Sequence, residues 1–252
     1  HECTGTPAHR VVGDAATGYK VYHSTNGRAF DNGTATGQTS LVVSGLAPGS
    51  LHFFRVTALN AGGESFPTAT VAARTPPAGG TADLLIVDGF ERLDESALIP
   101  QWESAALGTA QRMFLDRMNR YDYAVEHALA LHSCQRAFDG ASGDAVVAGQ
   151  VRLADYEAVD WFTGEDSEAD ASLNSAERDR LRTYLDGGGR LLISGSEIGY
   201  DLVERGRDPA FFQTYLRAAY LGDDAQTYAF AGLPGGPCDG LSGAFDNSTQ
   251  GT

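Results

Sequence analysis

The chain has 252 residues, 42% of them hydrophobic, which is material for two modest cores and no more. Its net charge is −15 and Lys20 is its only lysine, an acidic balance that repels phosphate backbones and anionic lipid headgroups. Nucleic-acid and membrane-surface partners are therefore not expected, and no apolar run approaches the roughly 20 residues of a membrane span.

From Gly18 the pattern is all-β. Tyr19 and Val21 lead to an Asn26-Gly27 turn, Leu41 and Val43 alternate with polar neighbours, and Leu46-Ala47-Pro48-Gly49 turns again. His52 to Asn60 reads as a long strand with Phe54, Val56 and Ala58 on one side and Phe53, Arg55 and Thr57 on the other. Thr68 to Ala73 is a last strand before a Pro/Gly linker. His1, His9 and Cys3 read as a frayed terminus rather than a metal cluster.

Leu46-x-Pro48-Gly49 followed by Phe54-Arg55-Val56-x-Ala58-x-Asn60-x-Gly62 resembles the second half of a fibronectin type III domain. His52 stands where that family carries the tyrosine of its corner motif, and its imidazole can still bond the turn. The resemblance implies an incomplete β-sandwich over residues 1–75, a linker over 76–82 that strings two beads together, and a chain that is a piece of a longer protein.

Leu84-Leu85-Ile86-Val87 is a continuous apolar run, as in a strand buried on both faces, and it ends at Asp88. A polar stretch with Pro100 and Trp102 reads as a long loop. Tyr121, Val125, Ala128, Leu129 and His132 share one helical face. A short strand ends at Phe138-Asp139-Gly140, and Val146 and Val147 sit in a short helix. A third strand runs to Phe162 and exits through Thr163-Gly164-Glu165-Asp166. Asn174-Ser175-Ala176-Glu177 is a capping box for a helix buried through Leu181, Tyr184 and Leu185, with Gly187 as its left-handed stop. Arg190 to Ser194 is the fourth strand, Pro209 to Tyr220 a further helix, and Tyr228 begins a strand-rich tail. The alternation predicts a doubly wound parallel sheet, so residues 83–252 read as an α/β domain cut short at its carboxyl end.

This half resembles the class I glutamine-amidotransferase-like, flavodoxin-like fold. The residues that carry the resemblance are Asp155-Tyr156, Leu173 to Glu177, and Tyr184-Leu185-x-x-Gly188-Gly189-Arg190-Leu191. Such families follow this strand with an elbow, G-x-C-x-G. Here the frame reads Gly195-Ser196-Glu197-Ile198-Gly199, and no histidine follows His132, so the Cys-His-Glu triad is absent. The pairing of the two halves resembles secreted bacterial multidomain proteins of the N-acetylmuramoyl-L-alanine amidase or xanthan-lyase-like kind. It implies an extracellular or periplasmic location and a glycan or peptidoglycan ligand.

The strand ends are expected to gather Asp88, Asp139, Glu165, Asp166 and Glu197 along one edge. Such carboxylates suit Ca²⁺ or Mg²⁺, or a carboxylate pair, Glu197 with Glu165, acting on a glycan. Each acid can equally cap a helix or bind loop amides. Ser196 and the acids Asp88, Asp139 and Asp166 are candidate binding residues. Tyr121, Tyr123, Trp102 and Trp161 offer a sugar-stacking platform or core packing, and His127 and His132 read as satisfied histidines. Cys134 and Cys238 form a disulfide or stay as isolated, partly buried thiols. The expectation that results is an accessory glycan-, peptide- or cation-binding segment of an exported hydrolase. A hydrolase working through carboxylates at Glu197 and a structural spacer are the alternatives.

Overall fold

The computed structural model describes residues 15–90, 98–106, 108–113, 122–164, 171–223 and 225–244. In the first half, β1 (Gly18–Ser24), β2 (Thr34–Thr36), β3 (Leu51–Asn60), β4 (Gly63–Glu64) and β5 (Val71–Arg74) pair antiparallel in one layer. The expected alternation along β3 holds. Leu51 and Phe53 enter a core, whereas Phe54 and Val56 line an open groove of about 590 Å³ with Tyr19, Val21, Leu41, Val43 and Leu46.

In the second half, β6 (Leu84–Asp88), β9 (Phe138–Ser142), β10 (Ala158–Phe162) and β11 (Arg190–Ser194) pair parallel in the order β11-β10-β6-β9. Helices α1 (Tyr123–Ser133), α2 (Gly143–Val147), α3 (Ser175–Asp186) and α4 (Pro209–Thr214) accompany them. Alternate residues feed two cores. Leu85, Val87, Val159 and Trp161 pack with Leu181, Tyr184 and Phe211, while Ile86, Phe138 and Phe162 pack with Val125 and Ala128 of α1.

The two halves are continuous. Strand β5 pairs with β9 through Arg74 and Phe138, so nine described strands form one mixed sheet, ordered β11-β10-β6-β9-β5-β3-β1-β2 with β4 beside β3. Leu51, Phe53 and Ala72 share a core with α1. Arg74 donates from Nε to His132 Nδ1 at 3.1 Å and from Nη1 to the Gln135 carbonyl at 2.9 Å. Arg28 bonds Asp122 at 2.6 Å and Glu126 at 2.9 Å. The Pro/Gly segment after Arg74 therefore does not string two free beads.

Several local expectations change. The polar stretch around Trp102 is a hairpin of β7 (Leu98–Ser104) and β8 (Gly108–Met113). On α1, Val125 and Ala128 are buried but Leu129 is 42% exposed; Tyr121 lies outside the described residues. The stop of α3 falls one residue later than expected: Gly187 is still right-handed, and Gly188 takes φ +87°. Helix α4 ends at Thr214, and Arg217, at φ +53°, departs from helical backbone before Tyr220. The tail forms a small hairpin, β12 (Ala229–Ala231) with β13 (Ser242–Ala244). Cys134 and Cys238 are both free and exposed, neither bridged nor partly buried. Among the described residues no helix is long and apolar enough to cross a membrane.

Candidate functional site at the carboxyl edge of the parallel strands

The parallel register aligns the four strand ends. Ser194 stands beside Phe162, Phe162 beside Asp88, and Asp88 beside Ser142. In an open α/β sheet this edge is where ligands bind. Each exit is tied to its neighbour. Gly89 N–H donates to the Phe162 carbonyl and Thr163 N–H to the Ser194 carbonyl, both at 2.8 Å, and Ser196 N–H donates to the Gly164 carbonyl at 2.9 Å.

The turn after β11 is an elbow. Gly195 takes φ +155°, and a Cβ there would lie 1.9 Å from Thr163 Oγ1, so only glycine lets the two exits close up. Glu197 takes φ +62°, in the left-handed region that costs a residue with a side chain about 1–2 kcal/mol. Its carbonyl accepts from Asp201 N–H at 2.7 Å, which starts the following helical turn. Ser196 is exposed, and its hydroxyl donates to the Gly164 carbonyl at 3.3 Å.

Trp161 Nε1, Thr163 Oγ1 and Ser172 Oγ are buried polar atoms without a hydrogen-bond partner among the described residues. Asp201 is 2% exposed; Arg207 Nε donates to its Oδ1 at 2.5 Å, and its Oδ2 has no partner among the described residues. Glu177 is 2% exposed, with Oε2 accepting from Asn174 N–H at 2.8 Å, the reciprocal half of the capping box.

The expected acids do not all meet here. Asp88 is at the edge, where Oδ1 accepts from Phe90 N–H at 3.0 Å. Asp139 is not: it pairs in register with Leu85, three residues before the edge, about 10 Å back along the strand. There it accepts from the Tyr156 hydroxyl at 2.9 Å. Burial first, and then Asp139, push that hydroxyl up to about 12. Glu165 and Asp166 lie outside the described residues. Among the described residues no group of three or more His, Cys, Asp or Glu stands together as a metal cage.

The aromatic candidates divide. Trp161 is fully buried, and Tyr123 packs edge-on to Phe90 with centroids 5.8 Å apart. Trp102 is 67% exposed on its hairpin. Along the chain that hairpin lies between Phe90, which follows β6, and Tyr123, at the start of α1. One polar pair had no signal in the sequence: His127 of α1 with Asp160 of β10, 2.7 Å apart, joins residues 33 positions distant. Spacing along the chain cannot reveal such a pair. No family model matches the chain, and no curated protein does.

Proposed function

We propose that the chain is an accessory, glycan-binding segment of an exported bacterial hydrolase of the cell envelope or of polysaccharides. In this reading the elbow at Ser196 and Glu197 holds the ligand. The observation that carries it is the left-handed backbone of Glu197 at a strand's carboxyl end. A strained conformation kept at a ligand edge is an argument for use of that edge. Supporting it, Ser196 is exposed beside Glu197, and Trp102 presents an open ring of the kind that stacks on a pyranose. The resemblances to a fibronectin type III module and to an amidotransferase-like domain without its triad agree with a binding role rather than an amide-cleaving one.

Purified peptidoglycan sacculi test the proposal by co-sedimentation. The chain is expected to pellet with sacculi, and E197G, which removes the carboxylate while easing the backbone, is expected to stay folded and lose at least tenfold in binding. A wild-type chain that remains in the supernatant, or an E197G chain that pellets equally well, overturns it.

A further inference from the structure

The chain's two Asn-Gly pairs, Asn26-Gly27 and Asn32-Gly33, both lie in the connection between β1 and β2. Asn followed by Gly is open to self-modification, because glycine has no side chain to keep its peptide nitrogen from the carboxamide before it. The fold gives the two pairs opposite surroundings.

Asn26 is clamped. Its Oδ1 accepts from Ser24 Oγ at 3.0 Å and from the Arg28 and Ala29 amides, both at 2.9 Å. Gly27 is buried, and a Cβ there would lie 2.7 Å from Val125 Cγ2 and 3.4 Å from Phe53 Cδ1, so the core under α1 presses on it. Closing a ring between this side chain and the Gly27 nitrogen means swinging the carboxamide off three donors and pushing into that core.

Asn32 is not held. It is exposed, and its side chain bonds no described residue. Gly33 packs on the Lys20 stem and the edge of the Tyr22 ring rather than on a core residue. Its N–H donates to Asp31 Oδ1 at 2.9 Å. Peptide planarity keeps that bond in the plane of the amide, so it leaves the faces of the nitrogen to Asn32 Cγ. The carboxylate partner also polarises the N–H and enriches the nitrogen.

We infer that Asn32 is a spontaneous modification site of the folded chain and that Asn26 is protected from the same reaction. The Gly33 nitrogen gives its proton to a solvent base and bonds to Asn32 Cγ. The carboxamide C–N bond breaks, and its nitrogen takes a proton from water and leaves as ammonia. Water then opens the cyclic imide. Cleavage of the ring nitrogen's bond to Cγ gives aspartate. Cleavage of its bond to the main-chain carbonyl gives isoaspartate, in which the backbone runs through the side chain and is longer by a methylene. That added length falls just before β2, whose residues pair Thr34 with Val21, Ala35 with Lys20 and Thr36 with Tyr19. The isoaspartyl form therefore releases β2, and with it Thr36 on the wall of the apolar groove. The inference is independent of the Glu197 elbow and of the glycan reading.

Ageing the whole chain in mildly alkaline buffer, folded and in parallel in urea, tests it by peptide mapping. In the folded chain, amide-to-acid conversion is expected to be at least about tenfold faster at Asn32 than at Asn26, the scale of a local opening that breaks hydrogen bonds. In urea the two are expected to convert at similar rates. The isoaspartyl product is expected to accept a methyl group from an isoaspartyl methyltransferase, and N32A to give no such signal. The isoaspartyl fraction, separated by ion exchange, is expected to lose hydrogen-exchange protection in β2. An Asn32 that stays intact in the folded chain while its urea control converts, or that merely matches Asn26, overturns the inference. Unchanged protection of β2 in the isoaspartyl fraction overturns the release of that strand.

Discussion

Gly195 and Glu197 stand two positions apart and hold the same turn by opposite means. Gly195 is permitted by the absence of a side chain, and Glu197 persists despite having one. The Gly195 site has no slack, because the atom a Cβ would strike belongs to a fully buried threonine. G195A is expected to cost about 2–3 kcal/mol in urea unfolding, the upper range for forced overpacking. A second residue-scale device is a chain of side chains at the Pro48 turn. His23 Nε2 is 2.9 Å from His52 Nδ1, and His52 Nε2 is 2.6 Å from Ser50 Oγ. Ser50 in turn bonds the Ala47 carbonyl. Burial first, and the neighbouring His23 second, hold His52 below its ordinary 6.5. The unfolded chain therefore takes up the proton first as pH falls. The stabilisation is fully present above 6.5 and is lost as pH falls from there through the lower folded value. Urea midpoints should drop as pH is lowered below 6.5, and H52F should flatten that slope. The sequence identified His52 as a turn-bonding residue. It did not reveal His23 as its partner, because the two meet only through the β1–β3 register.

At the scale of elements, the capping box of α3 was readable from four consecutive residues, and both of its bonds are present. Local signals of this kind survive without tertiary information. N174A is expected to cost about 1 kcal/mol by chemical denaturation. What holds α4 to α3 was not readable. Asp208 caps α4 by accepting from Phe211 N–H at 3.0 Å, and its other oxygen meets Arg178 Nε at 3.0 Å and Arg182. Burial pushes this carboxyl up, but the Phe211 amide and the two guanidinium groups outweigh it and hold it below 3.8. The stabilisation is thus present above 3.8 and lost as pH falls through the depressed value. D208N should cost about 2 kcal/mol near neutrality, the scale of hydrogen bonds to a charged group, with a visibly blunted acid transition. Asp139 shows the converse failure. It looked like a strand end because Gly140 follows it, yet the strand runs on to Ser142. Glycine inside a strand marks close approach as readily as termination.

That close approach shapes the whole molecule. A Cβ on Gly140 would lie 2.3 Å from the Ala72 carbonyl oxygen, which belongs to the first half of the chain. Backbone cannot step aside as a flexible side chain can. G140A should therefore pry β9 from β5 at a cost of about 1–3 kcal/mol. The wild-type chain is expected to melt in one calorimetric transition, and G140A in two. Residue patterning announced an all-β half and a parallel α/β half, but the β-sandwich expected of the first half is not what is seen: its described strands join the one mixed sheet. The sequence could not announce the seam, since Pro76, Pro77, Gly79 and Gly80 look the same whether they separate two bodies or merely turn a corner.

The seam also decides how the carboxyl edge meets a ligand. A flexible tether would let that edge sample a volume, and binding by a tethered pair would follow the linker's length through effective concentration. Here β1, where the described chain enters the sheet, keeps a constant direction and distance to Glu197 through paired strands. Avidity in such an arrangement is set by whether two attachment points match that vector. Shortening or lengthening the Pro/Gly corner would leave it unchanged.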